Sequence, residues 1–378
     1  MSDAPPPADL ALQRTSRDAD GVRVALEEWL AGVLPPGAGP RVTLHEGVDS
    51  NGMSSETVVL DVAWLHDGAP RVGEYVVRVA PAAADVPVFP DYRLDDQYDA
   101  MRLARELTDV PVPRVRWLEP TGDVLGTPFF FMDRVPGRVP PDVLPYTFGD
   151  NWFADATAVN RGRLQRATVE VIARLHGIPE APERFAFLDP ARGGHDGDTV
   201  LARNLARTRA WYEFGAQGLG RSPLVERGLA WLAANEPATD APVLCWGDAR
   251  IGNVLYDGFE PAAVLDWEMA TLGPREMDLA WLVFAHRVFD EIATALGLPG
   301  LPDVLRPDDV VAAYADRTGV TVGDLTWHQV HAAVQWCCVF LRTSVRQVHF
   351  GEIEQPEDVE SVYHHRPLVE RLLEEVGA

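Results

Sequence analysis

The stretch from Val243 to Asp278, VLCWGDARIGNVLYDGFEPAAVLDWEMATLGPREMD, constrains this chain more than any other. It carries Asp248, then Asn253 five positions later, then Asp266 thirteen beyond that. Two short apolar runs, Val254–Tyr256 and Ala263–Leu265, predict strands joined by a turn at Asp257-Gly258. Such a hairpin turns three oxygen-bearing side chains toward one cavity. One carboxylate can orient an attacking hydroxyl, while an amide oxygen and a second carboxylate hold a magnesium ion against phosphates. Phosphoryl transfer from a nucleotide calls for this set.

The residues themselves carry a resemblance. Trp-Gly-Asp-Ala-Arg-Ile-Gly-Asn, 246–253, resembles the catalytic loop of the aminoglycoside phosphotransferase family, in which His-Gly-Asp is followed by Asn five positions after the Asp. Asp266-Trp267-Glu268 is similar to that family's form of the kinase Asp-Phe-Gly motif. The resemblance runs over residues 40–350 and implies Asp248 as the catalytic carboxylate and Asn253 and Asp266 as magnesium ligands. Arg250 stands where many kinases place a phosphate-contacting cation, and a surface arginine is the competing reading. Glu268 is expected at a second metal, a cationic substrate or a structural contact. Trp246 replaces the usual histidine, and Asp278, at the start of an apolar helix, is expected to cap or hydrogen-bond the loop.

Upstream, the block from Val42 to Met132 reads as β-rich. Val42–Leu44, Thr57–Trp64, Glu74–Ala80 and Phe129–Met132 predict strands, with a turn at Asp67-Gly68. The segment 46–55, EGVDSNGMSS, is small and polar, as a loop must be to bring its backbone to phosphates. By the resemblance, Gly52, Met53, Ser54 and Ser55 cover the nucleotide. Arg78 stands where kinases carry the phosphate-gripping lysine, and the chain has no lysine: all 33 basic residues are arginine. A guanidinium is a planar fork and requires a different geometry. Its partner is left open among Gln97, Asp95, Asp96 and Asp99 of the next helix. The hinge is expected at Asp133–Gly137, with Met132, the Asp133 carbonyl and the Val135 N–H facing the base; Pro136 has no N–H to give.

Beyond the hinge the pattern turns helical. Helices are expected over 160–176, 200–214, 222–234, 279–288, 328–343 and 363–376, with an irregular insertion at 140–152. His176 reads as a capping or packing residue. Glu352, Glu354, Glu357, Asp358 and Glu360 read as a solvated acidic face. An N-terminal helix over 20–34 is expected to pack on the first lobe.

The formal charge of −24 argues against nucleic acid and anionic membrane as partners, and is compatible with a cationic acceptor. Three cysteines, two adjacent, form neither a disulfide framework nor a metal pattern. No apolar run reaches membrane-spanning length and the start is acidic and proline-rich, so a soluble, cytoplasmic chain is expected.

These observations predict an α+β, protein-kinase-like, two-lobed fold. Residues 1–135 would form a tail, a helix and a small antiparallel-sheet lobe that binds the nucleotide; 136–378 would form a larger, mainly helical lobe with the catalytic loop. The expected reaction is ATP- or GTP-dependent, magnesium-assisted transfer to a hydroxyl of a small molecule. The resemblance implies an aminoglycoside-like amino sugar as acceptor. Two further readings compete. The stretches LGTPFFFM and LDWEMATLGP resemble the phosphotransferase-like domains linked to acyl-CoA dehydrogenases, which implies a hydroxyacyl or other metabolite. Trp246, Arg78 and the absent helix Glu favour instead a nucleotide-binding protein with little catalysis.

Overall fold

The computed structural model describes residues 17–45, 55–142, 145–239 and 241–378. Gly52, Met53 and Ser54 therefore lie outside the described residues.

The chain opens with α1 (Ala19–Val33), whose N-cap Asp18 accepts a hydrogen bond from the Gly21 N–H at 2.9 Å. A prolyl pair at 35–36 follows it, and proline cannot continue a helix. Val22, Leu26 and Leu30 form one buried stripe against a five-stranded antiparallel sheet, with the Trp29 ring edge-on to Phe129 at 4.8 Å. The sheet consists of β1 (Arg41–Leu44), β2 (Glu56–His66), β3 (Ala69–Val79), β4 (Val115–Glu119) and β5 (Phe129–Asp133), in the order β1-β2-β3-β5-β4. Asp67 and Gly68 both take positive φ, 50° and 77°, so the β2–β3 link is the two-residue turn whose twist suits a hairpin. Along β5 the alternation of a strand divides five residues between two cores. Phe129 and Phe131 face α1, while Phe130 and Met132 face the interior shared with α2 (Leu94–Leu107).

The second lobe is mainly helical: α3 (Ala158–His176), the short α4 (Ala181–Arg184), α5 (Val200–Leu219), α6 (Pro223–Ala234), α7 (Glu276–Ala295), α8 (Pro307–Thr318), α9 (Thr326–His349) and α10 (Arg366–Glu375). Thr157, Thr199 and Ser222 cap α3, α5 and α6 through their hydroxyls. Helix α9 is buried nearly all round, as expected of a helix that others surround. The sheet and helical lobe together have the predicted kinase-like architecture. Several helices run longer than their apolar patterns suggested; α9, for example, ends at His349 rather than Thr343.

One expectation is corrected. Glu360 is not part of a solvated face: it is buried, accepts from the Ser222 hydroxyl at 2.9 Å and the Leu224 N–H at 2.8 Å, and pairs with Arg366 at 3.2 Å. It serves the first turn of α6, a contact that sequence distance hides. Among the described residues, no helix is long and apolar enough to cross a membrane.

Candidate active site

Two small antiparallel strand pairs create the site. Strand β6 (Val243–Cys245) pairs with β9 (Thr271–Gly273), and β7 (Val254–Asp257) pairs with β8 (Glu260–Val264). The loops 246–253 and 265–270 therefore leave neighbouring strand ends. They are tied directly, because the Leu265 N–H donates to the Asn253 carbonyl at 2.8 Å. Gly247 takes φ +90°, and a Cβ there would lie 2.2 Å from the carbonyl oxygen of Met269.

Asp248 sits in a dense set of donors. Its Oδ1 accepts from the Trp281 indole at 2.7 Å, its Oδ2 from the Asn253 amide at 2.7 Å, and Arg250 Nε lies 3.1 and 3.2 Å from the two oxygens. Arg250 also pairs with Asp142. Burial works against the Arg250 guanidinium, but Asp142 and Asp248 outweigh it and raise its pKa. Because Asn253 turns its N–H₂ to Asp248, its oxygen is the atom available to a cation.

Asp266 adopts φ +59°, a left-handed conformation that costs a non-glycine residue about 1–2 kcal/mol. Burial raises its pKa, while the nearby Arg78 lowers it. Arg78 Nη2 lies 3.1 Å from Asp266 Oδ1 and 3.5 Å from Glu268 Oε2, and its Nη1 donates to the Thr57 hydroxyl at 3.0 Å. The partner sought on α2 is thus found downstream. Asp96 and Asp99 are taken by Arg93 and Arg102, at 2.9 and 3.0 Å. Glu268 faces Arg78, the contact that sequence reasoning did not assign to it.

A cavity of about 250 Å³ joins these groups to the linker between the lobes. Arg78, Met132, Asp133, Val135, Asn253 and Asp266 all line it. The Asp133 carboxylate grips Arg116 at 2.6 and 2.8 Å, which fixes the end of β5. Ser55 is buried at the start of β2, and its hydroxyl has no partner among the described residues. Two hard oxygen donors flanking the β7–β8 hairpin, Asn253 and Asp266, with Arg78 beside them in the same cavity, fit a nucleotide with magnesium, an ion held by one or two protein oxygens plus phosphates.

Behind the loop, Asp278 accepts the N–H groups of Trp246 and Gly247, each at 2.8 Å, as the sequence suggested. His176 Nε2 meets Asp278 at 3.0 Å, and its Nδ1 meets the Tyr314 hydroxyl at 3.0 Å. The Trp246 ring is fully buried, and its indole N–H donates to the Leu265 carbonyl at 2.8 Å. The tryptophan thus braces the residue before Asp266. Sequence reasoning missed Asp142, Thr57 and Trp281. Asp142 lies 108 residues from Arg250, with no local signal. Trp281 could have been found, since it stands three after Asp278 on one helix.

A sequence model described as the phosphotransferase enzyme family matches residues 59–308, about two thirds of the chain. Among curated proteins, the chain is similar to acyl-CoA dehydrogenase family member 10 of Mus musculus, 27% identical over 297 residues, which are 75% of this chain and 25% of that one. It is 25% identical over 281 residues to the Arabidopsis thaliana protein named acyl-CoA dehydrogenase IBR3, covering 71% and 32%. The chain thus spans a quarter to a third of the length of these relatives. Among solved structures it resembles an aminoglycoside phosphotransferase candidate from Ralstonia eutropha JMP134, with TM-score 0.61, 21% identity and coverage of 93% and 97%. A macrolide 2'-phosphotransferase from Brachybacterium faecium gives TM-score 0.51 at 17% identity, covering 90% and 97%. The match over most of the chain and the shared fold lead to one statement of kinship: the chain belongs to the phosphotransferase enzyme family and has the kinase-like fold of the aminoglycoside phosphotransferases.

Proposed function

We propose that this phosphotransferase moves a phosphoryl group from ATP or GTP to a hydroxyl of a small molecule. The observation that carries the reading is the convergence of Asp248, Asn253 and Asp266 from the ends of two neighbouring strand pairs, with Arg78 and Arg250 beside them. Asp248, fixed by Trp281, Arg250 and Asn253, orients the acceptor hydroxyl and takes up its proton as the new P–O bond forms and the bond from the terminal phosphorus to the bridging oxygen breaks, releasing the nucleoside diphosphate. Arg250 and Arg78 offset the charge of the transferring group and the phosphates. Asn253 and Asp266 would hold magnesium, which when bound neutralises charge on the phosphates. Gly52, Met53, Ser54 and Ser55 would cover the nucleotide, while Met132, the Asp133 carbonyl and the Val135 N–H receive its base. A division near residue 135 places the nucleotide between the lobes.

Nucleotide use is supported by the bound ligands of structural relatives: an APH(4)-Ia variant holds AMP-PNP and hygromycin B, and aminoglycoside 2'-phosphotransferase-IIIa holds GDP. The same relatives support an amino sugar as acceptor. A second reading, a hydroxylated acyl metabolite, is favoured by the names of the curated relatives. The test is incubation with labelled ATP or GTP, magnesium and a panel of hydroxyl compounds, for the parent and Asp248→Ala. Transfer that depends on Asp248 supports the reading; equal turnover by both proteins removes it.

A further inference from the structure

A second cavity, of about 300 Å³, adjoins the nucleotide cleft and shares Gln97 and Trp267 with it. Phe89, Phe187, Leu188 and Trp211 supply apolar walls. Phe89 lies against Trp211 at 4.7 Å, and the indole N–H is spent on the Val88 carbonyl. Met269 also lines this cavity, and its carbonyl abuts Gly247, the residue before Asp248. The cavity thus lies beside the 267–270 segment that follows Asp266, and its Met269 and Arg207 also line a small void with Gly247 and Trp281, whose indole donates to Asp248.

Its acids are mostly committed elsewhere. Asp96 is held by Arg93 at 2.9 Å, Asp189 by Arg203 at 2.7 Å, and Glu268 faces Arg78 at 3.5 Å; Asp91 is exposed at the rim. Arg207 differs from these paired groups. Its Nη2 donates to Asn204 Oδ1 at 3.0 Å, and among the described residues no carboxylate comes within 4.0 Å of it. Asn204 is fully buried and fixed through the Val200 and Leu272 carbonyls, so it aims the guanidinium rather than neutralising it. Burial lowers the Arg207 pKa to about 10, which leaves it charged at neutral pH. Neighbouring His195 and His331 are both lowered, chiefly by burial and further by the Arg207 charge, His331 to about 3. A half-buried guanidinium facing a cavity without a carboxylate of its own is an incomplete site, and its fork matches two oxygens of one anion.

We propose that Arg207 determines acceptor specificity by receiving an anionic oxygen group, a carboxylate or a phosphate, of a molecule whose apolar body lies along Phe89, Phe187 and Trp211. The proposal rests on the phosphoryl-transfer reading only for the fate of the acceptor's hydroxyl, which would point toward Asp248. The chain's overall negative charge opposes it little, because Asp96, Asp189 and Glu268 are paired with arginines and Asp91 is exposed to solvent at the rim.

The test is calorimetric binding on the full chain with hydroxyl-free probes of equal length: octanoate, octylphosphonate, octanamide and octylamine. Either anion should bind at least about tenfold more tightly than octanamide or octylamine, and the tighter of the two identifies the group. In Arg207→Gln this ratio should collapse to about one, and Arg207→Lys should restore it in part. Equal binding of anion and amide by the parent overturns the proposal, even if the variants do not fold, and so does an anion preference that survives in Arg207→Gln. The two readings fail separately. Anion-selective binding with no phosphoryl transfer to any hydroxyl sinks the catalytic reading alone; transfer to hydroxyl compounds without anion selectivity sinks this one alone.

Discussion

Behind the 246–253 loop, Asp278 takes two backbone N–H groups and a histidine, and the histidine takes a tyrosine hydroxyl, all in the protein interior. In front of it, Asp248 and Asp266 are held instead by Arg250 and Arg78, which line or border the cleft. The rear groups are matched to one another and have no reason to exchange partners. The front groups are ion pairs between residues that a nucleotide, a metal and an acceptor would also seek. The difference separates support from chemistry: the back fixes where the loop is, and the front is arranged to be re-paired.

Substitutions can test this division, beginning with the largest effect. Asp248→Ala should lower phosphoryl transfer by about 10²- to 10⁴-fold while leaving the unfolding midpoint close to the parent's, measured by steady-state kinetics and denaturant titration. Asp278→Ala should act in the opposite place. It strands His176 and two buried N–H groups, and should destabilise the fold by about 3–5 kcal/mol, read from the same titration. If it reduces only turnover, the distinction between back and front collapses.

A smaller effect is expected at the bridge between the two sides. Trp246→Phe keeps the ring but removes the donor to the Leu265 carbonyl, which should cost about 1–3 kcal/mol. Turnover should fall more than nucleotide affinity, because the displaced backbone leads into Asp266. Equal affinity and turnover losses would mean that the indole braces the fold alone.

The last expectation is a pH dependence of the whole fold. His328, His331 and His365 are pushed down by burial to about 4, 3 and 3. Their unfolded forms gain protons near pH 6.5 and their folded forms do not, so stability is lost as pH falls through that range. The slope is about 1.4 kcal/mol per pH unit for each net proton taken up on unfolding. Asp96, raised to about 6 chiefly by burial, works in the opposite sense between pH 6 and 3.8 and offsets part of the loss. Unfolding titrations across pH 4.5–7.5 should show the fall, and His331→Gln should make it shallower by about one proton's share.

Much of this was legible in the sequence, for physical reasons that differ by residue. The two lobes, the Asp67-Gly68 turn and the β7–β8 hairpin follow from short-range pattern and turn chemistry. Asp278 was legible because it lies at the start of a strongly apolar helix. The partners of Arg78 and Arg250 were not, since Asp266 lies 188 residues from the first and Asp142 lies 108 from the second. The charge of the second cavity was equally hidden: a net of −24 says nothing about which arginine is left without an acid. Glu360 was misjudged because a run of acids looks exposed until one finds a helix to cap.

Glycine at 247 has a consequence for how this family of loops can change. The Met269 carbonyl occupies the volume that any side chain at 247 would need, so no single substitution can leave glycine without displacing the backbone that carries Asp266. Mutational routes through this position are open only as joint moves of both loops. A library randomised at 247 alone should therefore return glycine, whereas one that also varies the 267–270 stretch has somewhere else to go.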